Sequence, residues 1–420
     1  MFTPQHSPIA VDFGTSSVKV LQIGMGDRPS LLGAACMDVP EHARKNPEQL
    51  FTYYGHQLPV LLQSGRFKGR RAVCAIPSGQ TFIQHMQLSP IDGVSTDDLV
   101  KAQLQTQMGC APDSVVVRSV DVGSVHRDGQ AKTEMICFAI ARDTVMRYIE
   151  LLRKCRLEVV GAHTEIVSMV RAFDHLSRRE SDREITTVYV DLGSGGTRVA
   201  ISHGRDIVFA RYIQVGGRHF DQHIAATFHC DMNSARAHRL SMQSIEEATA
   251  SRPDHPGSGE STAVHDPATG EAAADNRPAV QAEPEAEGPT VEVQEDRRVG
   301  VVPPELSGPL EPRDALASTP NVDLSELLDT ITDELSMCLR YHRGLFPDRR
   351  IDRAIFLGGE ARQMWMCQHI VKELRFPAQM GDPLARLVQP KQIRTPGLTL
   401  GTPQPGWAVA CGLCMTPTNS

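Results

Sequence analysis

Ile9-Ala-Val-Asp-Phe-Gly-Thr-Ser-Ser-Val-Lys-Val-Leu-Gln-Ile23 is the stretch around which the rest of the chain is read. Its apolar opening has β-strand composition and delivers Asp12 at its end. Gly14-Thr15-Ser16-Ser17 then reads as a small hydroxyl-rich turn, and Val18-Lys19-Val20-Leu21 as a returning strand. Gly14 has no Cβ, so backbone N–H groups beside it can approach an anion closely. The hydroxyls and Lys19 add donors, and Asp12 is a carboxylate of the kind that holds Mg²⁺, directly or through water. Half of a nucleotide-phosphate clamp has this form. An ordinary hairpin capped by its own aspartate has it too, and for Lys19 both a β-phosphate contact and a solvent-facing edge position are open.

A second copy raises the weight of the first. Thr186-Thr-Val-Tyr-Val-Asp-Leu-Gly-Ser-Gly-Gly-Thr-Arg-Val-Ala-Ile-Ser202 repeats strand, Asp191, glycine turn (Gly193, Ser194, Gly195, Gly196, Thr197) and strand roughly 180 residues later. That separation is too long for a solenoid repeat and suits two related lobes. A third element, Asp352-Arg-Ala-Ile-Phe-Leu-Gly-Gly-Glu360, is an apolar strand ending in Gly358-Gly359, a turn flat enough for a base and ribose. In this order the three elements resemble the phosphate 1, phosphate 2 and adenosine motifs of the actin-like ATPase superfamily.

Composition bounds the reading. At 420 residues with 40% hydrophobic content, the chain can build two domains with full cores. A net charge of −7 and 5% aromatic residues argue against a nucleic-acid surface. Met1 leads within eight residues into the first strand, and no apolar run is long enough to cross a bilayer, so a cytosolic protein is expected. The ten cysteines show no framework spacing and read as reduced, buried thiols; Cys411-Gly-Leu-Cys414 reads as small residues packing on a helix.

The first lobe is expected over 9–185. Three strands with turns at Gly24, Gly26 and Gly33 precede a helix from Pro47 to Gly65 and a strand Arg71–Pro77. Between about 81 and 140 a β-α-β-β unit is inserted, with a helix starting at Ser95 or Thr96 and running to Met108. A strand Leu157–Val160 and a helix His163–Phe173 follow. The second lobe is expected over 186–242 and 321–395, including a helix behind Gly216-Gly217 whose N-terminus faces phosphate. The helix in 396–420 is read as returning to the first lobe. Between the two parts of the second lobe lies 243–320. Within it, residues 251–320 hold 14 acids against 5 bases and no aromatic, a net charge of about −9 that leaves about +2 for everything else. This composition reads as a disordered acidic insert, with Arg298-Val-Gly-Val-Val302 as plain linker.

An inserted subdomain after the first strand group resembles FtsA-like division proteins and the PilM-like proteins of type IV pilus assembly. Val190–Thr197, Arg211–Gly217 and Ile355–Glu360 resemble the latter family, and no basic amphipathic membrane helix of the FtsA kind follows Met415. The resemblance implies a two-lobed α/β actin-like fold related to ribonuclease H, binding ATP and Mg²⁺ with weak or absent hydrolysis. It also implies a partner, the cytoplasmic tail of a PilN-like inner-membrane protein, which recruits the chain to the inner face of that membrane; self-association is open. Mg²⁺ falls to Asp12 and Asp191, and Gly216, Gly217, Gly358 and Gly359 join the nucleotide set. Glu165 lies where chaperones of this superfamily place a water-orienting Glu, and an acid set against a helix dipole is the other reading. His163, His219 and His223 make no ligand set, and neither a P-loop nor a Gly-x-Ser-x-Gly elbow is present. A sugar-kinase relative is the alternative, but it requires a general-base Asp, and no such signal lies between Val160 and Thr186.

Overall fold

The computed structural model describes residues 6–26, 28–44, 46–89, 91, 93–109, 111–127, 130–242, 322–388 and 395–416. The expected acidic insert at 243–320, with its patch at Arg298–Val302, lies outside them.

Strand β1 (Ile9–Phe13) is buried along its whole length, as a strand covered on both faces must be. It pairs antiparallel with β2 (Ser17–Gly24), which pairs antiparallel with β3 (Ser30–Asp38). On its other side β1 runs parallel to β4 (Arg71–Ile76), and β4 runs parallel to β8 (Glu158–Thr164). Parallel neighbours need a crossover, and α1 (Pro47–Ser64) supplies the first. Asn46 caps it by accepting the Gln49 N–H, Pro47 takes the first turn, and Tyr54, Leu58 and Leu61 bury against the sheet. Gly33 is not in a turn. It sits inside β3 opposite Gln22, because a Cβ there would meet the Gly65 carbonyl oxygen at 2.7 Å where the end of α1 crosses the sheet.

The crossover from β4 to β8 carries the inserted unit: β5 (Phe82–Leu88), α2 (Thr96–Met108), β6 (Val115–Arg127) and β7 (Gln130–Ala141), followed by α3 (Arg142–Lys154). The strands form an antiparallel sheet in the order β5-β7-β6. The Ser95 hydroxyl caps α2, and Gly109 closes it in the left-handed region at φ 60°. α4 (Glu165–Arg171) begins two residues later than expected. His163 and Thr164 still pair with β4, and the Thr164 hydroxyl caps the helix.

The second sheet repeats the plan of the first. β9 (Thr186–Leu192) pairs antiparallel with β10 (Thr197–His203), and β10 with β11 (Asp206–Ile213). β12 (Arg353–Leu357) runs parallel to β9, and β13 (Ala378–Met380) parallel to β12. Against this sheet pack α5 (Gly217–Phe228), α6 (Met232–Ser241), α7 (Ser325–Leu345) and α8 (Met364–Leu374), whose apolar faces build the core around Phe220, Leu328, Leu335 and Trp365. α9 (Ala408–Met415) is almost wholly apolar and packs on α4, β1 and β2 in a core shared by both sheets. Cys411 and Cys414 lie buried on it with their thiols directed at the carbonyls of Pro383 and Leu21, and none of the nine cysteines among the described residues is in a disulfide.

Candidate functional site

Both hairpins open onto one cleft of about 550 Å³, within the size range of small-molecule sites. Its walls include Asp12, Gly14, Thr15, Ser16, Ser17 and Lys19 from the first lobe. Asp191, Gly193, Ser194, Gly195 and Gly196 come from the second, with Gly358 and Gly359 following β12. The two turns meet, since a Cβ on Gly195 would lie 2.3 Å from the Thr15 hydroxyl. Arg218 and Glu41 form an ion pair from one lobe to the other.

The two aspartates hold equivalent places. Asp12 lies directly across the strand pair from Lys19, and Asp191 lies directly across from Arg198. Lys19 Nζ stands 3.9 Å from Asp12 Oδ2. Arg198 is more tightly held, with Nη2 3.1 Å from Asp191 Oδ1 and Nη1 2.6 Å from Glu165 Oε1. Glu165, in the first turn of α4, also accepts the Ser78 backbone N–H through Oε2 at 2.6 Å. Burial lifts the Asp12 carboxyl to about 6, against the pull of Lys19. Burial likewise raises Asp191, with Arg198 opposing. For Arg198 itself burial works against the charge, but Asp191 and Glu165 outweigh it and hold the guanidinium above its ordinary value.

This arrangement does not fit the Mg²⁺ pair expected at Asp12 and Asp191. The guanidinium of Arg198 engages Asp191 and Glu165, and Lys19 faces Asp12. Among the described residues no cluster of three or more His, Cys, Asp or Glu side chains converges as a ligand set.

The glycine pair after β12 packs closely on the second hairpin, beside Leu192 and Asp191. Gly358 has φ 89°, and a Cβ there would meet the Leu192 carbonyl oxygen at 2.1 Å. The next residue but one, Glu360, is buried against Arg239, whose guanidinium also engages Asp221. This network ties the glycine turn to α5 and α6. Arg236, Leu240, Arg362 and Gln363 also line the cleft.

Three expected residues stand outside the cleft wall. The Thr197 hydroxyl is buried and donates to the Val215 carbonyl. Gly216 packs under the 193–196 turn, and the Gly217 and Arg218 N–H groups bond the carbonyls of Gly193 and Ser194. These residues support the turn from behind. In the other direction, Arg198, Tyr212, Arg236, Leu240 and the Pro77–Gln80 turn line the cleft without having been expected. Arg198 had a signal: it follows Asp191 by the same seven residues that separate Lys19 from Asp12.

A second cavity, of about 470 Å³, lies where the inserted unit faces β8, α3 and α4. Val116, Val120, Phe138 and Val160 make it apolar, and Arg118 and Arg171 add charge to its lining. β8 and β6 are both edge strands of their sheets. His163 reaches this groove, where burial lowers it to about 4 and its Nε2 has no hydrogen-bond partner. His219 instead accepts the Gly216 N–H.

A family model described as type IV pilus assembly protein PilM matches residues 10–250. Among solved structures, the chain is similar to one in a PilM–PilN type IV pilus biogenesis complex, at 14% identity, 98% coverage of each chain and a TM-score of 0.67. It is similar at 10% identity to ethanolamine utilization protein EutJ from Carboxydothermus hydrogenoformans, covering 99% of this chain and 90% of that one with a TM-score of 0.44. MreB5 of Spiroplasma citri bound to ADP is similar at 11% identity, covering 97% and 94% with a TM-score of 0.40. No curated protein matches the chain. The fold is thus the actin-like one that the motifs implied.

Proposed function

Because the chain belongs to the family of the type IV pilus assembly protein PilM, we propose that it is a nucleotide-holding scaffold of a pilus assembly platform. One observation carries the reading: two equivalent acidic hairpins and a glycine pair meet in a single cleft. The turns at 14–17 and 193–196 would hold the phosphates of ATP, and Gly358-Gly359 would border its base. The glycine turns offer N–H donors to phosphate oxygens, and Lys19 and Arg198 offset their charge. With Glu165 held by Arg198, the residue expected to order an attacking water is engaged elsewhere. Turnover is therefore slow or absent. The same engagement leaves neither Glu165 nor Asp191 free as the general base a sugar kinase needs.

The apolar groove takes the partner, an extended cytoplasmic tail of a PilN-like inner-membrane protein. Two edge strands border it, apolar side chains line it, and the unpartnered His163 Nε2 supplies a polar anchor. Among the described residues no helix is long and apolar enough to cross a membrane. In this reading the partner's tail holds the chain at the inner face.

Thermal unfolding of the purified chain with and without ATP is the test of the cleft. A rise in midpoint with ATP is expected, and Asp12→Ala removes it. Titration with a peptide of the partner's tail tests the groove, where Val160→Asp is expected to abolish binding while the response to ATP persists. Rapid phosphorylation of a small hydroxylated compound overturns the scaffold reading.

A further inference from the structure

The cleft contains a cation of its own where the carboxylates of Asp191 and Glu165 meet. Arg198 forks between Asp191 and Glu165, its side chain is only 14% exposed, and its Nε–H has no acceptor. The turn above is shaped to admit it, for a Cβ on Gly193 would stand 2.8 Å from Nη2. Its counterpart in the first hairpin, Lys19, faces Asp12 from the same register position. A planar guanidinium serves phosphate oxygens with the same two-pronged geometry it uses on carboxylates.

We propose that Arg198 is the resident counter-cation for the terminal phosphate of the bound nucleotide, so that binding by this chain depends little on a divalent metal. This rests on reading the cleft as a nucleotide site. A divalent ion between the carboxylates would stand beside a guanidinium of like charge that already bridges Asp191 and Glu165. A phosphate entering between the two turns meets Arg198 and Lys19 together, since both residues line the cleft.

Calorimetric titration of the full chain with ATP, in EDTA and again in excess Mg²⁺, tests this. The wild-type Kd is expected to change by less than about threefold between the two buffers. Arg198→Gln is expected to weaken binding in EDTA by more than about tenfold and to recover most of it in Mg²⁺, with Arg198→Lys between the two. Binding by the wild type only when Mg²⁺ is present overturns the inference and leaves the nucleotide site standing. Equal binding by Arg198→Gln and the wild type in EDTA also overturns it. Failure to bind ATP in either buffer removes the site reading and the inference together. If circular dichroism shows Arg198→Gln unfolded, the wild-type comparison and Arg198→Lys decide the matter.

Discussion

Asp12 and Asp191 are each paired across two strands with a basic residue, and these four side chains set the character of the cleft. The aspartates and glycines were legible in the sequence because a strand, an acid and a glycine turn recur together. Arg198 was less plain, because a basic residue in a strand flanked by Thr197 and Val199 has the look of a solvent-facing position. Its one signal is the seven-residue spacing shared with Lys19, and its pairing partner and burial give that spacing its meaning. Thr197, Gly216 and Gly217 mislead in the opposite sense: they share the motif's composition but support the turn from the rear. Gly358 bears its reading more directly. Gly358→Ala forces a positive φ on a residue with a Cβ and drives that Cβ into the Leu192 carbonyl. A loss of about 3 kcal/mol in urea unfolding is expected, together with loss of the ATP-induced midpoint rise. Gly344 near the end of α7 is the contrast, with open space around it and no positive φ. Gly344→Ala is expected to stabilise the chain by about 0.5–1 kcal/mol in the same assay.

The elements show where periodicity suffices and where it does not. The β-α-β-β order of the inserted unit follows from alternation, a serine cap and a glycine stop, all local in sequence. Its attachment to the second lobe is not local. Glu134 on β7, 0% exposed, accepts from Tyr341 on α7 at 2.6 Å and pairs with His85 on β5 at 3.3 Å, while His85 stacks on Phe209 of β11. Burial alone would raise Glu134, but hydrogen bonds from His85, Tyr341 and Gln87 outweigh it and hold the carboxyl below its ordinary value. A depressed carboxylate contributes stability above its unfolded pKa, and that contribution fades as the pH falls through the folded one. Stability should therefore drop as the pH falls below about 4.5. Glu134→Gln should flatten that part of the profile, measured as urea midpoint against pH. Between α9 and α4 the contact is closer still, since a Cβ on Gly412 would stand 1.7 Å from the Ser168 carbonyl oxygen. Gly412→Ala is expected to cost about 2–3 kcal/mol by pushing the helices apart.

Across the whole molecule, two sheets of one design face each other over the cleft, joined there by Thr15 against Gly195, Tyr212 against Gly79, and the Arg218–Glu41 pair. The duplication was visible as two motifs. The contacts between the halves were not, because each joins residues more than a hundred positions apart. Reversing one charge tests whether closure supports the ligand: Arg218→Glu should weaken ATP binding several-fold, and adding Glu41→Arg should restore part of it, with a coupling of about 0.5–1 kcal/mol. The seat of α9 has a further consequence. Its Cys414 thiol meets the Leu21 carbonyl across 393 positions of chain, so the sheet begun at Ile9 waits for residues 408–415 to be made. A ribosome emits residues at roughly 5–20 per second, which leaves the earliest strands with an open flank for tens of seconds during synthesis. Chaperone occupancy of nascent chains should therefore persist until residues 408–415 have left the exit tunnel.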